Sequence, residues 1–130
     1  MNEQLNLMSG REEFLGLTEE ERAVWIEVRY RRGRNGAISV KGLMQRTGFS
    51  DTQVRSTISE LVRHHGKLIG SSTSAPAGFY IIVNQKELDE HIRSLKSRGI
   101  MCFVRAAALA RTSIEDIFGQ AKLELYGDDK

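Results

Sequence analysis

The stretch Ser50–His65, SDTQVRSTISELVRHH, stands between two glycines, Gly48 and Gly66, and constrains the fold more than any other part of the chain. Ser50 and Gln53 have the spacing of a helix capping box. Behind them Val54, Ile58, Leu61 and Val62 recur at the intervals of one helical face. The spacing predicts a helix over 51–65 with that face committed to a core. The opposite face carries Thr52, Ser56, Ser59 and Arg63, with Gln53 and Glu60 on one edge and Arg55 on the other. Any fold that accepts this helix leaves a small, polar, partly basic strip on its outside.

The flanking sequence supplies what such a helix needs to bury itself. Residues 1–17 have no sustained period and read as an N-terminal tail. Thr18 and Glu21 form a second capping box, and Glu19 and Glu20 suit the positive end of the helix dipole. The first helix carries Ala23, Val24, Trp25, Ile26 and Val28, and Gly33 is its expected stop. Arg34-Asn35-Gly36 reads as a turn and Ala37-Ile38 as a short extended piece. Ser39 caps a second helix, with Val40, Leu43 and Met44 on one face, that ends near Gly48, and Phe49 follows as a core plug. After Gly66, two extended apolar runs, Lys67-Leu68-Ile69 and "FYIIV", are joined by "GSSTSAPAG", which reads as a β-hairpin. Asn84 and Glu87 open a further helix whose stripe is Leu88, Ile92, Leu95, Gly99, Cys102, Ala106 and Leu109. Gly99 is a candidate break or kink. Thr112 or Ser113 caps a short segment, "IEDIF", and "GQAKLELYGDDK" reads as a tail.

Composition narrows the class. A chain of 130 residues, 40% apolar and 28% charged with one Pro, fits a soluble, helix-rich domain that needs no metal or disulfide staple. The lone Cys102 lies among Ile100, Met101, Phe103 and Val104. It reads as a buried free thiol suited to a reducing cytoplasm. No apolar run approaches the ~18 residues of a membrane span, and the first residues lack the basic start and apolar stretch of a secretory signal. The net charge of +2 conceals an asymmetry. Residues 18–83 hold ten basic against six acidic side chains and 84–111 six against three, while residues 1–17 and 112–130 are net acidic. A basic middle points to a polyanionic partner.

The order helix, short strand, helix, helix, hairpin resembles the winged helix-turn-helix family. Met44, Gly48, Phe49 and Val54 stand at the first-helix, turn, post-turn and second-helix positions of its motif, and the hairpin from Lys67 to Val83 follows as the wing. The resemblance covers roughly residues 18–83. It implies a mainly α fold with a minor β component: a three-helix core, a hairpin wing and a long C-terminal helix. Within the family the chain looks most like small phage and mobile-element proteins.

The resemblance further implies that helix 51–65 lies in the major groove of double-stranded DNA. Ser50, Thr52, Gln53, Arg55, Ser56, Ser59 and Arg63 are then the DNA-facing set. Gln53 suits adenine and an Arg suits guanine, while Arg55 and Arg63 equally suit phosphates. Backbone N–H groups at Ser50-Asp51 suit a phosphate as well. Arg29, Arg31, Arg32 and Arg34 either clamp the DNA backbone or satisfy the carbonyl end of the first helix. The loop "GSSTSAPAG" departs from many wings in holding no Lys or Arg.

No enzyme chemistry emerges. His64 and His65 are adjacent and point about 100° apart on a helix, which makes a poor metal chelate, and no ligand-spaced Cys or acid joins them. Nucleophile-elbow, phosphate-loop and dinucleotide fingerprints are absent, and no cofactor is implied. The stripe of helix 85–110 either pairs two subunits as a homodimer or packs on its own domain. Both ends carry a Gln-and-Leu pattern, Gln4, Leu5, Leu7 and Met8 in "QLNLM" and Gln120, Leu123, Leu125 and Tyr126 in "QAKLELY". These resemble peptides that dock on the bacterial sliding clamp as extended segments, with Met8 and Tyr126 in place of Phe; the plain alternative is that they pack on the domain.

The expected organisation is therefore a tail (1–17), a winged domain (18–83), a helical extension (84–118) and a tail (119–130). The expected function is that of a non-enzymatic, cytoplasmic DNA-binding regulator or accessory factor of a phage or mobile element. The rival is a replication-associated interaction module held to the clamp through its ends.

Overall fold

The computed structural model describes residues 10–127. The chain divides into two compact units, one ending at His91 and one beginning at Ile92.

The first unit is built on three helices and a hairpin: α1 (Glu19–Val28), α2 (Val40–Thr47), α3 (Asp51–His65), β1 (Ile69–Ser72) and β2 (Gly78–Ile81). Local chemistry starts each helix. Thr18 Oγ1 accepts from Glu21 N at 3.1 Å and Thr18 N donates to Glu21 Oε1 at 2.9 Å, which closes the capping box of α1. Ser39 Oγ accepts from Gly42 N and Ser50 Oγ from Gln53 N. Among the described residues Gln53 makes no return bond, so α3 has a serine cap and not the full box. Gly48 and Gly66, both left-handed, end α2 and α3.

Packing of one face of each element makes a single core. Val24, Trp25 and Val28 from α1 meet Leu43 from α2, Val54, Ile58 and Leu61 from α3, and Ile69, Phe79 and Ile81 from the hairpin. Phe49 packs against this cluster from the turn between α2 and α3. Val62 differs from expectation and is 39% exposed, while Thr57 is buried. Val62 lies about 80° around the helix from Val54, at the edge of the buried face, whereas Thr57 falls inside it.

β1 and β2 are antiparallel, with Ile69 opposite Ile81 and Ser72 opposite Gly78. The other edge of β2 is also occupied. Ile38 and Phe79 exchange backbone hydrogen bonds of 2.9 and 2.8 Å. Ile81 N donates to Arg31 O at 2.7 Å, and its carbonyl accepts from Gly33 N at 2.8 Å. This pairing explains why α1 ends at Val28 and not at Gly33. The chain must extend to meet β2, and Arg34–Gly36 then forms one 3-10 turn.

The N-terminal segment from Glu12 onward is not a tail. A 3-10 turn, Gly10–Phe14, delivers a buried Glu13 to the core. Glu13 accepts from Trp25 Nε1 at 3.0 Å and from Arg29 Nη1 at 2.6 Å, and its backbone carbonyl accepts from Lys67 Nζ at 2.9 Å. Leu17 is buried and Phe14 packs on the core, so the segment closes one end of the unit. Burial of Lys67, whose ammonium lies 4.6 Å from the Trp25 ring centre, lowers its pKa, against the opposing pull of Glu13.

The second unit is a pair of helices. α4 (Gln85–Ala110) begins in the first unit, where Asn84 Oδ1 accepts from Glu87 N, and runs without a break through Gly99. α5 (Ile114–Tyr126) follows, capped by Ser113. Residues 119–126, read from sequence as a tail, are helical. Ser113 and the acidic first turn start the helix, and Phe118 stacks 4.4 Å from Phe103 to hold it. Cys102 is exposed, not buried, because its side of α4 faces away from that contact.

Candidate nucleic-acid interface

The outward strip of α3 forms as its periodicity requires. With Val54, Thr57, Ile58 and Leu61 inside, Thr52, Arg55, Ser56 and Arg63 are exposed, and Gln53 and Ser59 are half-buried at the edges. Ser50 is exposed at the cap. The strip is short-chained between its two arginines, so a groove-shaped surface can approach the helix backbone closely.

Its charges are not equivalent. Arg55 Nε donates to Asp51 Oδ1 at 2.6 Å, one turn back along the helix. Glu60 lies 3.3 Å from His64 Nε2. Arg63 has no acidic partner among the described residues. The strip therefore presents one free cation, one cation shared with Asp51, and hydroxyls between them. His65 turns the other way and lies 3.0 Å from Glu21 of the α1 capping box, tying the end of α3 to the start of α1. The two histidines have separate structural partners. Among the described residues no cluster of three or more His, Cys, Asp or Glu has the arrangement of a metal site.

The second arginine group sits with the hairpin. Arg31 and Arg32 flank Ile81 of β2, and the turn from Arg34 packs on the two strands. Arg34 donates from Nη2 to Ser74 Oγ in the hairpin loop, and its backbone N donates to Glu87 Oε2. Ser72 Oγ in turn donates to the Ser74 carbonyl. The loop thus acquires the cation its own sequence lacks. That contact spans 40 residues, and nothing local in the sequence announces it. Arg29 serves neither group, because Glu13 and Tyr30 hold its guanidinium. Arg46, on α2, pairs with Glu27 at 3.5 Å.

The hairpin base is held firmly. Glu87 accepts from Val83 N through one oxygen and from Arg34 N through the other, each at 3.1 Å. Tyr80 is buried against Gly70, where a β-carbon would lie 2.7 Å from its ring. Burial, and then the nearby Glu87 carboxylate, raise the pKa of the Tyr80 phenol.

The Gln-and-Leu segments do not form extended peptides here. Gln120, Leu123, Leu125 and Tyr126 all lie in α5, so a clamp-type contact requires that helix to unwind. Gln4, Leu5, Leu7 and Met8 lie outside the described residues. Among the described residues no helix is long and apolar enough to cross a membrane. No family model matches the chain, and no curated protein or solved structure is significantly similar to it.

Proposed function

We propose that this chain is a non-enzymatic winged helix-turn-helix protein that binds double-stranded DNA as a regulator or accessory factor, with α3 in the major groove. The outward face of α3 carries the proposal: two arginines and a row of hydroxyls backed by the buried side chains of Val54, Ile58 and Leu61. Such a surface gains little from a protein partner, which favours aromatic and aliphatic anchors, and suits phosphates and base edges. The helix–turn–helix–hairpin order and the third edge at Ile38 support the winged reading. Arg34, carried on the hairpin loop by Ser74, supplies a second phosphate contact. Arg63 neutralises phosphate directly. Arg55 does so by exchanging Asp51 for the DNA.

The test is fluorescence anisotropy of mixed-sequence duplex DNA across a salt series, with the wild type and an Arg55→Ala/Arg63→Ala variant. Each lost phosphate contact removes about 0.9 from the slope of log K against log salt. The double variant should therefore flatten the slope by roughly 1.8. Equal slopes for the two proteins, or no wild-type binding at low salt, would refute the proposal.

A further inference from the structure

The second unit has almost no core of its own. From Ile92 onward Ala107 is the one described apolar residue that is buried. Leu95 is 49% exposed, Leu109 80%, Leu123 62% and Tyr126 68%. Two helices with this much apolar surface outside are half of something larger.

The pattern on α4 identifies the missing half as helical. Ile92, Leu95, Gly99, Cys102, Ala106 and Leu109 follow one another at alternating steps of three and four. That is a period of 3.5, the seam of a supercoiled helix pair. Phe103, which meets Phe118 of α5, and the buried Ala107 lie on one flank of this seam and leave the seam itself open. α5 and the seam are therefore separate contacts, and the seam awaits another helix.

Charge selects which one. Between Ile92 and Ala110, α4 carries Arg93, Lys96, Arg98 and Arg105 and no acid. α5 carries Glu115, Asp116 and Glu124 against Lys122. Among the described residues none of these charges forms an ion pair within the chain. Arg98 and Arg105 immediately precede seam residues Gly99 and Ala106, at the edge where a coiled-coil partner's charges lie. Two α4 helices alone would set these cations against each other. An acidic helix relieves that, and the chain carries one.

We propose that the hairpin of α4 and α5 pairs with a second copy of this chain into a four-helix interface. Each α4 seam is covered by the partner, and the partner's acidic α5 lies along the Arg98–Arg105 edge. A two-fold axis makes both contacts at once, because each copy offers one basic seam and one acidic helix. The proposal does not depend on what α3 binds.

Sedimentation equilibrium of the full chain over a concentration series tests it. The wild type should reach twice the chain mass of 14.7 kDa. Leu95→Glu/Leu109→Glu should sediment as a monomer while keeping its helical circular dichroism. Arg98→Glu/Arg105→Glu, and separately Asp116→Lys/Glu124→Lys, should each weaken the dimer by about tenfold or more. An equimolar mixture of these two charge variants should restore wild-type association, since each supplies the charge the other lacks. A wild type that stays monomeric throughout, as it would if a foreign acidic helix were the occupant, overturns the proposal. So does a dimer indifferent to the seam substitutions, or a mixture no tighter than its separate components.

Discussion

Replacing Gly78 with Ala should damage this protein well beyond what a methyl group suggests. Gly78 has φ +137°, and a β-carbon there would stand 2.1 Å from the Ile38 carbonyl oxygen and 2.8 Å from Ser39 Cα. Both neighbours are backbone, so no side-chain rotation relieves the contact. The strand edge must open by more than an ångström, and that breaks the paired Ile38–Phe79 hydrogen bonds, about 1 kcal/mol each. The strained φ adds about 1–2 kcal/mol, and loosened packing of Ile38 and Phe79 adds about another. The sum is about 4–5 kcal/mol, a large share of the total for a small domain. Urea unfolding of Gly78→Ala beside Gly48→Ala isolates the clash. Gly48 also has a positive φ, +79°, but open space around its missing β-carbon, so its substitution should cost only about 1 kcal/mol. Equal costs for the two variants would mean that the chain from Ile38 does not press on the hairpin as described.

Two further outcomes follow from the buried polar groups. Glu13→Gln keeps an acceptor for Trp25 but strips Arg29 of its counter-charge, and should destabilise the first unit by about 1–3 kcal/mol in chemical denaturation; a loss below about 0.5 kcal/mol would remove the ion pair from the list of what holds the N-terminal segment. The Tyr80 phenol, with its pKa raised by burial and by Glu87, holds its proton more tightly folded than unfolded. Its contribution to stability is therefore complete below the ordinary tyrosine value of 10.0 and fades as pH rises through the folded value. Denaturation followed across the alkaline range should show this fall in the wild type and a shallower one in Tyr80→Phe.

Much of the first unit was legible in the sequence because its signals are local. Thr18, Ser39, Ser50 and Asn84 sit at helix starts because a cap acts on an amide two or three residues away. Gly48 and Gly66 end helices through their own backbone angles. The outward strip of α3 was legible for the same reason, since periodicity alone fixes which side chains share a face. What escaped depends on contacts distant in the chain. Glu13 looked like one more acid in a tail, because Trp25 and Arg29 reach it only after α1 has folded back. Arg34 became a hairpin residue through Ser74, far along the chain. Cys102 and its apolar neighbours read as core, but Cys102, Ile100 and Met101 are exposed, because α4 meets α5 through Phe103 instead. The second half of α5, from Gly119, reads as a tail because Gly119 and the alternating Leu residues weaken its period, while the Phe103–Phe118 contact that holds the helix is invisible locally.

β2 is bonded along both edges, to β1 on one side and by isolated bridges to the chain at Arg31–Ile38 on the other. This has a consequence for the order in which the protein can form. A chain emerging from the ribosome can nucleate α1, α2 and α3 as each is completed, since their contacts are near in sequence. Until Ile81 has appeared, the polar groups of Ile38, the carbonyl of Arg31 and the amide of Gly33 have no partner but water, and the core lacks Phe79 and Ile81. The first unit therefore closes only when β2 slots between β1 and the much earlier Arg31–Ile38 segment. The outward strip of α3 reaches its final setting only then.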